Sequence, residues 1–319
     1  MIWATSPSAL GYNSERRYAA HQPNAAAREA KPETRMRKTL LIILLVASAI
    51  ICGCRRGHKE GAGEQPESAR IVSMAPSLTE ALFALECGKQ VVGVTNYCTY
   101  PPAALQKEKV GDFINPSIEK IVALRPTLVL AEKWSSSKVV SRLRNLGLNV
   151  VETVSPLSLS EIYQQIREVG SATGKLNLAE SLIGGMQRQV EEVRLRGERL
   201  ARRPTVYVEI DVPSWTVGRN SFITDSISIC GGRNIFADVP KPALQASVET
   251  ILERDPEVIL SFQATAAEIR QRPAWSNLQA IRKGNVIDDL KPNRRFNGSL
   301  RLVEGLRDFQ GRLAEISAR

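Results

Sequence analysis

The chain has 319 residues, 43% hydrophobic and 24% charged, enough for one large domain or two modest ones. Its net charge of +10 is uneven: residues 1–54 hold seven Lys/Arg and three Asp/Glu, a surplus of +4, and the remainder carries only +6. No dense Lys/Arg stripe interleaved with aromatics is present, which argues against nucleic-acid binding. The two histidines, His21 and His58, both precede the expected folded part, which therefore lacks the usual general base and the usual zinc ligand.

Residues 1–35 are polar and Ala-rich and read as an upstream extension, with Met36 the expected true start. From Met36 the sequence runs MRKTLLIILLVASAIICGC. Arg37 and Lys38 form a basic n-region, and Leu40 to Ile51 form an apolar run too short for a membrane span and right for a secretory signal. The Ile51–Cys54 end resembles a bacterial lipobox, in which small residues precede a lipidated cysteine. Residues 36–54 are thus expected to be a lipoprotein signal peptide, with Cys54 as the lipidated residue. Residues 55–69, rich in Gly, Glu, Lys and Arg, read as a flexible tether. A lipid anchor would place the folded part outside the cytoplasmic membrane, where a disulfide is permitted. Cys87, Cys98 and Cys230 remain, and spacing leaves open whether any two pair or all three are free buried thiols.

The first α/β round is expected over residues 70–176. RIVS at Arg70–Ser73 reads as a strand, followed by Pro76-Ser77-Leu78-Thr79-Glu80 and the apolar ALFAL. Ser77 or Thr79 is placed to cap that helix, with Glu80 in its first turn. Gln90–Thr95 is a second strand. Ser117 caps a further helix with Glu119 in its first turn and Ile118, Ile121, Val122 and Leu124 on one face; Arg125-Pro126 ends it, and Leu128–Leu130 is a buried strand. Gly147 closes the next helix, and Leu148–Thr153 is another strand.

Residues 177–203 are expected to connect two halves. From Leu178 to Arg202 there is no proline, and Leu182, Met186, Val190, Val193 and Leu200 fall at helical spacing, although Gly184-Gly185 weakens the helix locally. A second round follows over 204–319: a strand at Val206–Ile210, a stretch Ser226–Ile229 leading into Cys230-Gly231-Gly232, and a late strand at Asn285–Asp288. Within it, SVETILERDPEVIL (247–260) repeats SIEKIVALRPTLVL (117–130), with Ser, Glu, Ile, Pro and Leu identical at 117/247, 119/249, 121/251, 126/256 and 130/260. Strand–helix alternation implies parallel sheets. The fold class expected is α/β: two similar lobes with parallel sheets, joined by a long rigid helix, with a ligand cleft between them.

Five stretches in order, RIVSMAPSLTEALFAL, VVGVTNYCTYPP, NPSIEKIVALRPTLVL, CGGRNIF and QASVE, resemble the iron-complex and vitamin B12 class of ABC-transporter substrate-binding proteins, particularly its cobalamin-binding members. The resemblance covers about residues 70–315. It implies that Glu119 and Glu249, one per lobe, dock on arginines of a pseudo-symmetric permease dimer; otherwise each only favours its own helix. It also implies a cleft lined by Tyr97, Phe113 and Trp215. A fourth family aromatic is absent, Ala243 standing in its place, and Trp134 is the candidate substitute. Arg294 or Arg295 sits where the family often places a polar or basic ligand contact.

The resulting expectation is a monomeric, lipid-anchored extracytoplasmic receptor. It would bind cobalamin or a related corrinoid and deliver it to an ABC importer, with no catalytic residue, no cofactor and no resident metal. A ferric siderophore is the alternative ligand, through Arg294, Arg295 and Arg301 against an anionic complex. Haem ranks third, because without histidine Tyr97 or Tyr100 would have to be its axial ligand. An enzyme is disfavoured: neither a G-x-S-x-G elbow nor a phosphate-cradling glycine loop is present. An adhesion lipoprotein is a further alternative, which would show no saturable small ligand.

Overall fold

The computed structural model describes residues 69–319 apart from 113–114, 134–136, 213 and 291–297. The upstream extension, the signal, Cys54, Phe113, Trp134, Arg294 and Arg295 lie outside the described residues. The first half runs β1 (Ile71–Ser73), α1 (Pro76–Ala84), β2 (Val91–Val94), β3 (Glu108–Lys109), α2 (Ile118–Ala123), β4 (Leu128–Glu132), α3 (Ser137–Asn145), β5 (Val150–Thr153) and α4 (Leu159–Ala172). Helix α5 (Leu176–Glu198) follows. The second half runs β6 (Thr205–Glu209), β7 (Trp215–Thr216), α6 (Phe222–Ile229), β8 (Arg233–Asn234), β9 (Leu244–Gln245), α7 (Val248–Arg254), β10 (Val258–Ser261), α8 (Ala266–Arg270), α9 (Gln279–Arg282), β11 (Val286–Ile287) and α10 (Leu302–Ser317).

Each half builds one parallel sheet, in the order β3-β2-β1-β4-β5 and β11-β10-β6-β8. A separate antiparallel pair, β7 with β9, sits beside the second sheet in sequence. The strand sequences are apolar on both faces because helices cover both. Alternate residues go to opposite layers. In β4, Leu128 and Leu130 join the core that contains α1 and α4, whereas Val129 and Ala131 join the one that contains Ile121 of α2 and Leu143 of α3. In β10, Val258 and Leu260 face inward, and Ile259 faces Ile251 of α7 and Ile269 of α8.

The inward layers of both halves form one continuous core, and α5 is the element that makes it continuous. Ala179, Ile183, Met186, Val190 and Val193 are its buried stripe, at the three- and four-residue spacing of one helical face. Burying each of the larger side chains contributes about 1.5–3 kcal/mol. The 23-residue helix is about 35 Å long. It continues unbroken through Gly184-Gly185, and Leu200 falls just beyond it.

Two local expectations change. Neither Ser77 nor Thr79 caps α1, which begins at Pro76 after Ala75, with no side-chain cap. Proline at the first helical position removes one donor that a cap would satisfy. The two hydroxyls are used elsewhere: Ser77 donates to Glu132 (2.6 Å), and Thr79 donates to the Ala75 carbonyl (3.1 Å). On α2, Val122 faces solvent at 40% exposure, because the six-residue helix buries only Ile121 fully. Cys87, Cys98 and Cys230 are free and buried, and burial pushes all three thiols above their ordinary pKa.

Candidate functional site

In an open parallel sheet, ligands sit at the carboxyl ends of the strands where the strand order reverses. Here those points lie between β1 and β4 in the first sheet and between β6 and β10 in the second. The strands meeting there end in buried polar residues: Ser73 on β1, Glu132 on β4, Glu209 on β6 and Ser261 on β10. The residue after β2, Thr95, and the last residue of β5, Thr153, continue the pattern.

Both glutamates are held by named partners. Glu132 accepts from Ser77 Oγ (2.6 Å) and from Gln165 Nε2 (3.0 Å), and the same amide also donates to the Val154 carbonyl (2.8 Å). This ties the ends of β4 and β5 to α1 and α4. Glu209, fully buried, forms a bidentate pair with Arg272, one arm at 2.7 Å and the other shorter. The glutamate holds the Arg272 guanidinium above its usual pKa. The guanidinium also lies 4.6 Å over the Trp275 ring, which meets Tyr207 edge-on at 5.8 Å. Removing one partner of such a buried pair would strand the other charge. The strand ends are therefore rigid platforms. LVLAE and TVYVE each close an apolar run on Glu, the sequence signal by which these two positions could have been found.

Of the expected cleft residues, the described ones are Tyr97 and Trp215. Tyr97 lies just past β2, at the carboxyl edge of the first sheet, and is half-buried. Trp215 is half-buried in strand β7. Its N–H donates to the Asp211 carbonyl (2.9 Å), its carbonyl accepts from Ile210 N–H (2.8 Å), and it stands opposite Gln245 of β9. Ser214, with φ of 57°, makes the tight turn that leads into it. Ala243, next to β9, packs on the same core as Trp215. Arg301 is half-buried, with its guanidinium 3.9 Å over the ring of Tyr100, which is 40% exposed.

The repeated glutamates occupy matching places. Ser117 accepts from Lys120 N–H (3.2 Å) and Ser247 from Thr250 N–H (3.1 Å), so each serine caps its helix. Glu119 and Glu249 stand in the first turns of α2 and α7, exposed. The surroundings differ: Ser117 Oγ also reaches Glu119 (3.3 Å), whereas Ser247 Oγ meets Thr250 (3.0 Å). Among the described residues no cluster of three His, Cys, Asp or Glu side chains could hold a metal ion, and no helix is long and apolar enough to cross a membrane.

Residues 71–292 match the family model described as periplasmic binding protein. An uncharacterized ABC transporter substrate-binding lipoprotein, YvrC of Bacillus subtilis (strain 168), is 30% identical over 251 residues, 76% of this chain and 79% of that one. A vitamin B12-binding protein of Vibrio cholerae serotype O1 is 29% identical over 223 residues, 68% of this chain and 79% of that one. Among solved structures, the periplasmic heme-binding protein RhuT from Roseiflexus sp. RS-1, in apo form, superposes with a TM-score of 0.72. It is 26% identical and matches 78% of this chain and 99% of its own.

Proposed function

The chain belongs to the periplasmic binding protein family, and from that premise we propose that it binds cobalamin or a related corrinoid, anchored to the membrane through lipidated Cys54. Membership itself makes it an extracytoplasmic substrate-binding protein of an ABC transporter, a receptor rather than an enzyme. The observation that carries the corrinoid reading is the likeness to a vitamin B12-binding protein over 68% of the chain. The arrangement of side chains supports it. A broad, largely apolar ligand needs aromatic walls on rigid supports, and Tyr97 and Trp215 stand half-buried on the two halves. Phe113, Trp134, Arg294 and Arg295 complete the proposed set. The lipid anchor draws on the lipobox-like Ile51–Cys54 run and on the name of the Bacillus relative.

Haem is the second reading, favoured by the likeness to RhuT and by the partly exposed Tyr100, six residues past β2. A ferric siderophore, the alternative on sequence alone, moves to third, resting on Arg294, Arg295 and Arg301. Isothermal titration of the detergent-purified chain with cyanocobalamin, haemin and a ferric hydroxamate separates the three. The corrinoid reading predicts one-to-one cyanocobalamin binding at about micromolar or tighter, near −8 kcal/mol. Trp215→Ala should then weaken it about tenfold or more, equivalent to roughly 1.4 kcal/mol. Heat with haemin or the siderophore alone would transfer the site to that ligand.

A further inference from the structure

A chain whose two halves are joined by one helix is free, in principle, to rock about that helix. The structure holds a second connection. Ser299, two residues before Arg301 and three before the start of α10, is 3% exposed, and its Oγ donates to Glu80 Oε2 at 2.5 Å. Glu80 lies in α1 of the first half and is 5% exposed, and the two residues are 219 apart in sequence. Two positions on, Arg301 lays its guanidinium 3.9 Å over the ring of Tyr100, again a residue of the first half. Among the described residues its Nε is buried and has no hydrogen-bond partner, and its pairing with Glu304, three residues on along its own half, is long at 3.8 Å, so the stack is the contact that reaches the first half.

We propose that Ser299 and Arg301, gripping Glu80 and Tyr100, form a clasp that fixes the angle between the two lobes and limits its change when ligand enters or leaves. A buried hydroxyl–carboxylate bond is charge-assisted and directional, so it resists sliding. A guanidinium over an aromatic face tolerates sliding but not separation. Together they give one rigid point and one compliant point. Away from the shared core the halves also leave a gap. A groove of about 310 Å³ runs between Ser158 and Ser160 at the start of α4 and Asp225 and Ser228 of α6, with Arg194 of α5 beside it.

The test uses the full chain in detergent, with a ketone-bearing unnatural amino acid in place of Lys138 and of Lys283, both exposed and on opposite halves, each coupled to a ketone-reactive spin label. Pulsed dipolar spectroscopy then gives the interlobe distance distribution. Ser299→Ala and Glu80→Ala should broaden it and lower the melting temperature by about 3–8 °C. The control is Ser77→Ala, which removes an equally short buried bond to a glutamate, Glu132 at 2.6 Å, but within one lobe. It should lower the melting temperature and leave the distribution unchanged. If Ser299→Ala does not fold, Arg301→Gln keeps the Ser299–Glu80 bond and should broaden the distribution by a smaller amount. Wild-type distributions for both Ser299→Ala and Arg301→Gln would overturn the clasp, as would equal broadening by Ser77→Ala.

Discussion

Glu80 accepts a buried hydrogen bond from Ser299, whereas Glu119 and Glu249 stand in solvent. All three follow a hydroxyl residue by one or two positions, and the sequence places all three in a first turn. Pro76 makes the difference, because it starts α1 early and carries Glu80 one turn deeper, onto the buried face. The partner that explains Glu80 is 219 residues away, which no local pattern reveals. Glu209 and Arg272 are hidden for the same reason, being 63 residues apart. By contrast, the Ser117 and Ser247 caps were legible because a cap and its N–H lie three residues apart. A residue-scale prediction concerns Asp225 in the interlobe groove. Burial raises its pKa, an effect Arg194 offsets only in part. A carboxyl whose folded pKa is raised costs stability once pH climbs through its unfolded value toward the folded one. Asp225→Asn should therefore raise the melting temperature at pH 7 and change it little at pH 3; an equal shift at both would point to packing instead.

At the scale of elements, α5 shows where a glycine matters. The pair Gly184-Gly185 invites suspicion in a helix, yet a Cβ at Gly184 would meet nothing closer than Arg188 at 3.6 Å. Gly197 draws no attention in the sequence, but a Cβ there would lie 2.4 Å from the Ile229 carbonyl oxygen and 2.7 Å from Gly231 N. That contact seats the end of α5 on the second half. Gly184→Ala should stabilise the chain by about 0.5–1 kcal/mol through helix propensity. Gly197→Ala should destabilise it by about 1–3 kcal/mol, because backbone must move. Urea unfolding midpoints check both, and the same sign for the two variants would contradict this reading of α5. The strands were legible because their apolar runs are short and bounded. The strand that holds Trp215 has no such run, because the two-residue β7 is created by its pairing with β9, some 30 residues on.

For the whole molecule, the duplicated segment meets two requirements at once. It supplies the strand beside each switch point and, through its capped helix, one exposed carboxylate per half. The two-lobed parallel architecture was legible from strand–helix alternation and from the repeat. The clasp was not, because its partners lie 219 residues apart on different halves, and the partners of the strand-end glutamates were not either, being distant in sequence within each half. The proposed set of cleft residues rests chiefly on resemblance, with Tyr97 and Trp215 the two whose surroundings are described.

The central claim is delivery of a bound corrinoid to an importer through both exposed glutamates. The direct measurement is uptake of labelled cyanocobalamin into proteoliposomes carrying the cognate ABC importer, with wild-type receptor and with the Glu119→Ala, Glu249→Ala double variant. The account predicts uptake with the wild type and its loss with the double variant, whose titration with cyanocobalamin stays unchanged. Normal uptake by the double variant, or none with the wild type, would contradict it.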